Sequence, residues 1–320
     1  MSHREKPSRL ISRVTVILPL HNEAENIRSV IDDVITQLAT AGYLAKIVLV
    51  DDGSVDDSLE VIRETCSVRT LVKYISFSRN FGKEIAILAG LNECGDDFDA
   101  LACMDSDGQH AGEDLLNLLA AAESPAVDIA CGVRSDRNYQ TATQRMMANA
   151  FYWLFRYLSD TRIETGVGDF IVMKPHVVKT LRQMREQNPF VKGLVGWIGF
   201  EKRLIPIKIR PRLSGNAKQF TSKMIRLAFK AILSFSSLPL RAWSVLGITS
   251  ALLAALYLVF VVIQTAVYGK EVPGYATIVV LLLGLGGLQL LSIGMVGEYV
   301  ARIHDASKMR PLYIIKSKNL

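Results

Sequence analysis

Two stretches of the chain carry no charge at all: Trp243–Tyr268, 26 residues, and Tyr275–Val296, 22 residues. At about 1.5 Å per residue, each is long enough as a helix to cross a hydrocarbon core of about 30 Å. They predict two transmembrane helices, over 243–268 and 275–298, and exclude a purely soluble protein. Neither span holds an internal charge, which argues against a transport pathway. The loop between them, GKEVPG, is nearly neutral, whereas the segment after Val300 carries Arg302, Lys308, Arg310, Lys316 and Lys318 against Asp305 alone. The positive-inside rule therefore expects both flanks to be cytoplasmic.

The chain divides around those spans. Residues 1–211 read as a soluble cytoplasmic domain, 212–242 as a juxtamembrane segment, 243–300 as the membrane pair and 301–320 as a basic tail. From Arg212 to Arg241 there are six basic residues and no acidic ones, with Met224, Leu227, Ala228, Ala231, Ile232 and Phe235 at helical spacing. That pattern predicts an amphipathic helix lying on an anionic bilayer surface. With 37 Lys and Arg against 31 Asp and Glu, the net charge is +6. Because the basic residues gather beside the apolar segments, the partner they imply is a membrane and not a nucleic acid. The short first apolar run, Val14–Leu20, is broken by Pro19 and is no secretory signal, so an integral protein of the inner membrane is expected. Cys66, Cys94, Cys103 and Cys131 form no metal-finger or disulfide pattern.

Within the first 130 residues, continuous apolar runs at Val14–Leu18, Ile47–Val50, Leu71–Phe77, Leu101–Met104 and Val127–Cys131 alternate with helical patterns. Ile27, Val30, Ile31, Val34, Ile35 and Leu38 make the first helical stripe. The fold class is α/β, a doubly wound and mainly parallel sheet. Ligands in such sheets bind beyond the carboxyl ends of the strands. There stand Asp51-Asp52-Gly53-Ser54, able to contact a ribose or base or simply to turn and cap the next helix. There too stand Asp105-Ser106-Asp107-Gly108-Gln109, whose two carboxylates can converge on a hard divalent cation, Mg²⁺ or Mn²⁺. Phe81, Gly82 and Lys83 open a further helix whose amides could receive a phosphate. Neither a dinucleotide fingerprint nor a P-loop occurs.

These motifs, together with LPLHNEAENI, SRNFGKEIAI, VGDF, KGLVGWIGF, SLPLRAWS and GEYVARI followed by RPLY, resemble the inverting nucleotide-sugar glycosyltransferases of family 2. The likeness is to their polyprenyl-phosphate branch, which includes dolichol-phosphate mannose synthases and bactoprenol glucosyltransferases, and it extends over essentially the whole chain. It implies the glycosyltransferase A-type fold and a nucleotide pocket at Pro19, Glu23, Asp52, Gly53 and Asp105. It implies a metal and diphosphate loop at Asp105, Asp107 and Gln109, with Asp107 and Asp169 catalytic. Asp169 would act as a base or orient the sugar; a plain turn after Gly168 is the alternative. The acceptor phosphate needs cations, for which Arg134, Arg137, Arg212 and Lys218 are the candidates. Trp197 could stack on a sugar or fill the core. Three features depart from the family pattern: Ala217, where a hydroxyl is usual, Ile171, where many members carry Arg, and the metal loop Asp107-Gly108-Gln109-His110, which lacks the usual following prolines.

The expected reaction moves a hexose-like sugar, first choice glucose from UDP-glucose, onto undecaprenyl phosphate at the cytoplasmic face, with the oligomeric state open to a homo-oligomer. The alternatives are a processive polysaccharide synthase, which the missing Q-x-x-R-W motif disfavours, and a non-catalytic scaffold for glycan assembly.

Overall fold

The computed structural model describes residues 10–134, 167–184, 186, 189–208, 238–268 and 274–320. The chain forms two compact units, one comprising residues 1–231 with 311–320 and the other residues 232–310.

The first unit is built on an eight-stranded sheet. Strands β1 (Arg13–Leu20), β2 (Leu44–Asp51), β3 (Val72–Phe77) and β4 (Ala100–Cys103) run parallel, in the order β4-β1-β2-β3. The helices between them are α1 (Ile27–Thr40), α2 (Ser58–Val68) and α3 (Lys83–Glu93), and α4 (Gly112–Ala122) follows β4. The parallel strands are buried on both faces: Val16, Ile17, Ile47, Val48 and Val50 are closed to solvent. That burial is why they appear as unbroken apolar runs without alternation. α1 buries Ile27, Val30, Ile31, Val34 and Leu38, the stripe expected of it.

Beyond β4 the sheet stops being a simple parallel array. β5 (Ile129–Arg134), β6 (Val167–Met173) and β7 (Lys202–Ile207) extend it in the spatial order β7-β5-β6-β4, and β6 is antiparallel to both β4 and β5. α5 (Pro175–Gln183) and α6 (Val191–Trp197) lie between β6 and β7. The reversal of β6 brings its first residues to the end of the sheet where β4 finishes.

The second unit contains two long helices, α7 (Leu238–Tyr268) and α8 (Tyr275–Ser307). Within α7, the 23 residues Val245–Val267 make the one helix among the described residues that is long and apolar enough to cross a membrane, judged by length and composition. The second expected span, 275–298, is helical throughout, and its helix continues to Ser307. α7 starts at Leu238, inside the segment expected to lie on the bilayer surface; the rest of that segment is outside the described residues.

Residues 301–320 are not simply a basic tail. Residues 301–307 complete α8, and Ile315–Asn319 form β8, which pairs antiparallel with β3 in the register Ser76↔Ser317. Ser78 donates its N–H to the Ile314 carbonyl at 2.9 Å, and the Tyr313 ring stacks on Phe77 at 5.3 Å. Lysines at 316 and 318 on this outermost strand match the charged edges with which sheets avoid further pairing.

Candidate active site

The loops after β1, β2 and β4 meet at the carboxyl end of the sheet because those strands are register-matched neighbours, with Leu20 opposite Asp51 and Ile17 opposite Cys103. Side chains stitch the loops together. Asn22 and Glu23 donate their N–H groups to the hydroxyls of Ser54 and Ser58, at 3.0 and 2.9 Å, and Val55 N–H returns to Asn22 Oδ1 at 2.9 Å. Glu23 accepts from Asn26 Nδ2 at 2.6 Å. Ser106, in the middle of the Asp105–Asp107 pair, donates its hydroxyl to the Pro19 carbonyl at 3.0 Å and so hangs the acidic loop from the end of β1.

The two aspartates of the β2 loop do different work. Asp51 is buried, accepting from Ser76 Oγ at 2.7 Å and from Ser54 N–H at 2.9 Å. Asp52 accepts the N–H groups of Phe81 at 2.6 Å and Gly82 at 2.9 Å. Its burial pushes its pKa up, against the pull of those two bonds. Two of the amides expected to receive a phosphate at the start of α3, those of Phe81 and Gly82, are therefore already committed to Asp52. Gly53 is required where it stands: its φ is +65°, and a Cβ there would lie 2.3 Å from the Arg79 carbonyl carbon. Phe81, edge-on to Phe77 at 5.6 Å, sits under the Arg79 guanidinium at 4.1 Å, so the loop is packed through Phe77 to Tyr313.

The central contact follows from strand register. β4 and β6 pair with Cys103 opposite Ile171, so two residues further on Asp105 comes opposite Asp169. Between them lies Lys83, its Nζ 2.5 Å from Asp105 Oδ1 and ion-paired with Asp169 Oδ2. Lys192, in the first turn of α6, approaches Asp169 Oδ1 at 3.2 Å. Glu84 accepts the Val191 N–H at 2.8 Å and fixes α6 to α3. Burial works to raise the Asp169 pKa, but Lys192 and Lys83 outweigh it and hold the carboxyl well below the ordinary carboxylate range. Burial likewise opposes the charge on Lys83, and Asp105 and Asp169 overcome it, raising its pKa. The tetrapeptide Phe81–Glu84 thus touches Asp52 after β2, Asp105 after β4, Asp169 on β6 and the start of α6 at Val191.

Asp107 accepts the Gln109 N–H at 3.1 Å. Among the described residues no three His, Cys, Asp or Glu side chains gather as a closed metal cage. Two carboxylates beside an amide oxygen on one loop nevertheless suit Mg²⁺ or Mn²⁺, which take few protein ligands and fill the remaining positions with water and substrate phosphate. Asp105, Asp107 and Gln109 fit that requirement by the chemistry of their donors.

Of the cationic candidates for an acceptor, Arg134 ends β5, with its backbone paired to Ile207; its side chain is outside the described set. Arg137, Arg212 and Lys218 lie outside the described residues, as does Ala217. Ile171 is buried on β6. Trp197, at the end of α6, is 65% exposed, which removes the core-filling alternative. All four cysteines are buried free thiols.

Carboxylate loops converging past the strand ends of a doubly wound sheet define a ligand-binding α/β enzyme. The profile of glycosyl transferase family 2 matches residues 15–181, and the chain belongs to that family of glycosyltransferases. It is 36% identical over 306 residues to the bactoprenol glucosyl transferase of Shigella phage SfV, covering 96% of this chain and 99% of the relative. It is 35% identical to the prophage bactoprenol glucosyl transferase homolog of Escherichia coli, covering 95% and 98%. An uncharacterized glycosyltransferase of Synechocystis is 33% identical, covering 94% of each chain. Among solved structures, a mannosyltransferase from Pyrobaculum calidifontis in complex with GDP-Man and Mn²⁺ superposes with a TM-score of 0.47 at 20% identity, covering 92% of this chain and 86% of that one.

Proposed function

We propose that the protein transfers one hexose-like sugar, with UDP-glucose as first-choice donor, to polyprenyl phosphate at the cytoplasmic face of the inner membrane. The observation that carries this reading is the apposition of Asp105 and Asp169 across β4 and β6, joined by Lys83. It joins a diphosphate-binding loop to a carboxylate suited to the sugar. Relatives named bactoprenol glucosyl transferase, matched over nearly their full length, support the acceptor class.

In this reading Pro19, Glu23, Asp52 and Gly53 shape the nucleoside pocket, Asp52 by holding the Phe81–Gly82 turn against it. Asp105, Asp107 and Gln109 hold Mg²⁺ or Mn²⁺. When bound, the cation supplies positive charge to the departing diphosphate. An oxygen of the acceptor phosphate attacks the anomeric carbon; the bond from that carbon to the donor phosphate oxygen breaks, and its electron pair leaves on the nucleoside diphosphate. One displacement inverts the anomeric centre. The acceptor needs no proton removed near neutral pH, since the second pKa of a phosphate monoester is about 6. An aspartate held as acidic as Asp169 is a weak base. It serves to orient the sugar and the two lysines. Arg134, Arg137, Arg212 and Lys218 are the further cations this reading assigns to the acceptor phosphate.

Topology supports the membrane part. The chain leaves the α/β unit before α7 and rejoins the same sheet as β8, so any crossing by α7 requires a return crossing by α8. The basic residues flanking the pair support a cytoplasmic position for both ends.

The test is incubation of the purified full chain with Mg²⁺, undecaprenyl phosphate and a panel of radiolabelled nucleotide sugars. One lipid-extractable, singly glycosylated product is expected, strongest with UDP-glucose. Long polymer would establish a processive synthase instead, and nucleotide binding without any product a scaffold.

A further inference from the structure

Strand β8 belongs to the α/β unit, yet it comes in the chain after both long helices. It pairs with β3, whose last residues present their side chains to opposite faces of the sheet, Ser76 to one and Phe77 to the other. β8 engages both faces.

On the first face, Asp51 of β2, Ser76 of β3 and Ser317 of β8 are register partners and make one row. Ser76 Oγ donates to Asp51 Oδ2 at 2.7 Å, and Asp51 Oδ1 accepts the Ser54 N–H at 2.9 Å. β8 closes the outer end of that row, where Ser76 is buried and the Ser317 hydroxyl is itself enclosed. On the second face, Tyr313 stacks on Phe77 at 5.3 Å, and Phe77 meets Phe81 edge-on at 5.6 Å. Phe81 is the residue whose N–H reaches Asp52 at 2.6 Å. A third tie runs through Glu93 at the end of α3, which lies 3.4 Å from the Tyr313 hydroxyl and 2.8 Å from Lys318 Nζ.

A strand that only blunted the sheet edge would need backbone pairing and its lysines, nothing more. Here the contacts from both faces end on neighbouring residues of one loop, Asp51 and Asp52. We propose that β8 is a positioning element for the donor: Tyr313, the last residue of the RPLY motif, acts through Phe77 and Phe81 to hold the Asp52 loop in the shape that accepts a nucleoside diphosphate. This rests on the nucleotide-sugar reading of the site and adds to it a residue that touches none of the reacting groups. Because β8 follows α7 and α8, the donor pocket is completed only after both long helices have been made.

Equilibrium binding of UDP and of GDP to the full chain in detergent, with Mn²⁺ and well below the unfolding midpoint, tests the proposal. Steady-state kinetics follow, with the nucleotide sugar of whichever binds tighter. Tyr313→Ala is expected to weaken the nucleotide at least about tenfold and to raise the donor KM to match, while the KM for undecaprenyl phosphate stays within about twofold. Tyr313→Phe, which keeps the ring on Phe77, should stay within about twofold of the parent throughout. Val34→Ala, in the buried stripe of α1, controls for lost stability: the midpoint should fall and nucleotide affinity should hold. Coupling is reciprocal, so in the parent protein bound nucleotide should slow hydrogen exchange at the Ser78 amide and along β8 at least about fivefold. That measurement decides the matter alone if Tyr313→Ala does not fold. Tyr313→Ala that loses stability but keeps its nucleotide affinity overturns the proposal. So does an equal loss of affinity in Val34→Ala, or exchange along β8 that ignores the nucleotide. A parent protein that binds neither UDP nor GDP refutes the functional reading itself and the proposal with it, whereas the other failures leave that reading standing.

Discussion

The α/β unit and the helical pair use the same aliphatic residues in opposite ways. In the sheet, Ile17, Val48 and Ile75 are closed to solvent and sit against other side chains. In the long helices, Leu252, Leu256, Ile263 and Leu290 are all more than half exposed. Outward-facing leucines along 23 apolar residues, long enough as a helix to cross a membrane, suit an apolar surrounding where the sheet residues find one inside the fold. Polar groups divide the same way. The α/β unit places its buried carboxylates where N–H groups or lysines meet them; the helical span from Val245 to Val267 contains none.

That contrast can be broken at four places, in order of falling effect. Asp107→Ala is expected to reduce transfer at least about a thousandfold, equivalent to about 4 kcal/mol of transition-state stabilisation. The protein should still fractionate with membranes, as radiolabelled product and membrane recovery will measure on one preparation. Gly53→Ala should cost the α/β unit about 2–4 kcal/mol, from positive φ and the collision with the Arg79 backbone. Its unfolding midpoint should fall by several degrees. Leu256→Arg should cost about 2.5–3.5 kcal/mol, but in membrane insertion. Resistance to alkaline carbonate extraction should drop while the unfolding midpoint of the α/β unit holds. Tyr313→Ala, which removes the stack on Phe77, should lower that midpoint by the equivalent of about 1–2 kcal/mol and leave carbonate resistance unchanged. If Tyr313→Ala altered extraction instead, the distinction between the two regions would be drawn in the wrong place.

Much of the α/β unit was legible in the sequence because parallel strands are short apolar runs and α1 has a clean helical stripe. The acidic loops were legible for the same reason: a strand's end marks where chemistry can sit. What escaped is what depends on long-range pairing. Nothing near Val167–Met173 announces that it runs antiparallel to β4, and without that register Asp169 has no reason to meet Asp105. The sequence around Lys83 points to its neighbouring amides, two of which Asp52 takes, while its side chain carries the central contact. β8 was hidden by its lysines, which suggest a solvated tail. The alternation of Ile315, Lys316, Ser317 and Lys318, two residues after an aromatic, was the available signal. Arg137, Arg212 and Lys218 stay as sequence expectations.

The most direct test of the account is the anomeric configuration of the lipid product, determined by NMR after transfer from an α-linked donor by the full chain. A single sugar in β linkage to the polyprenyl phosphate is the outcome required by one displacement at the Asp105–Asp169 site. An α-linked product, or a chain of sugars on one lipid, would contradict it.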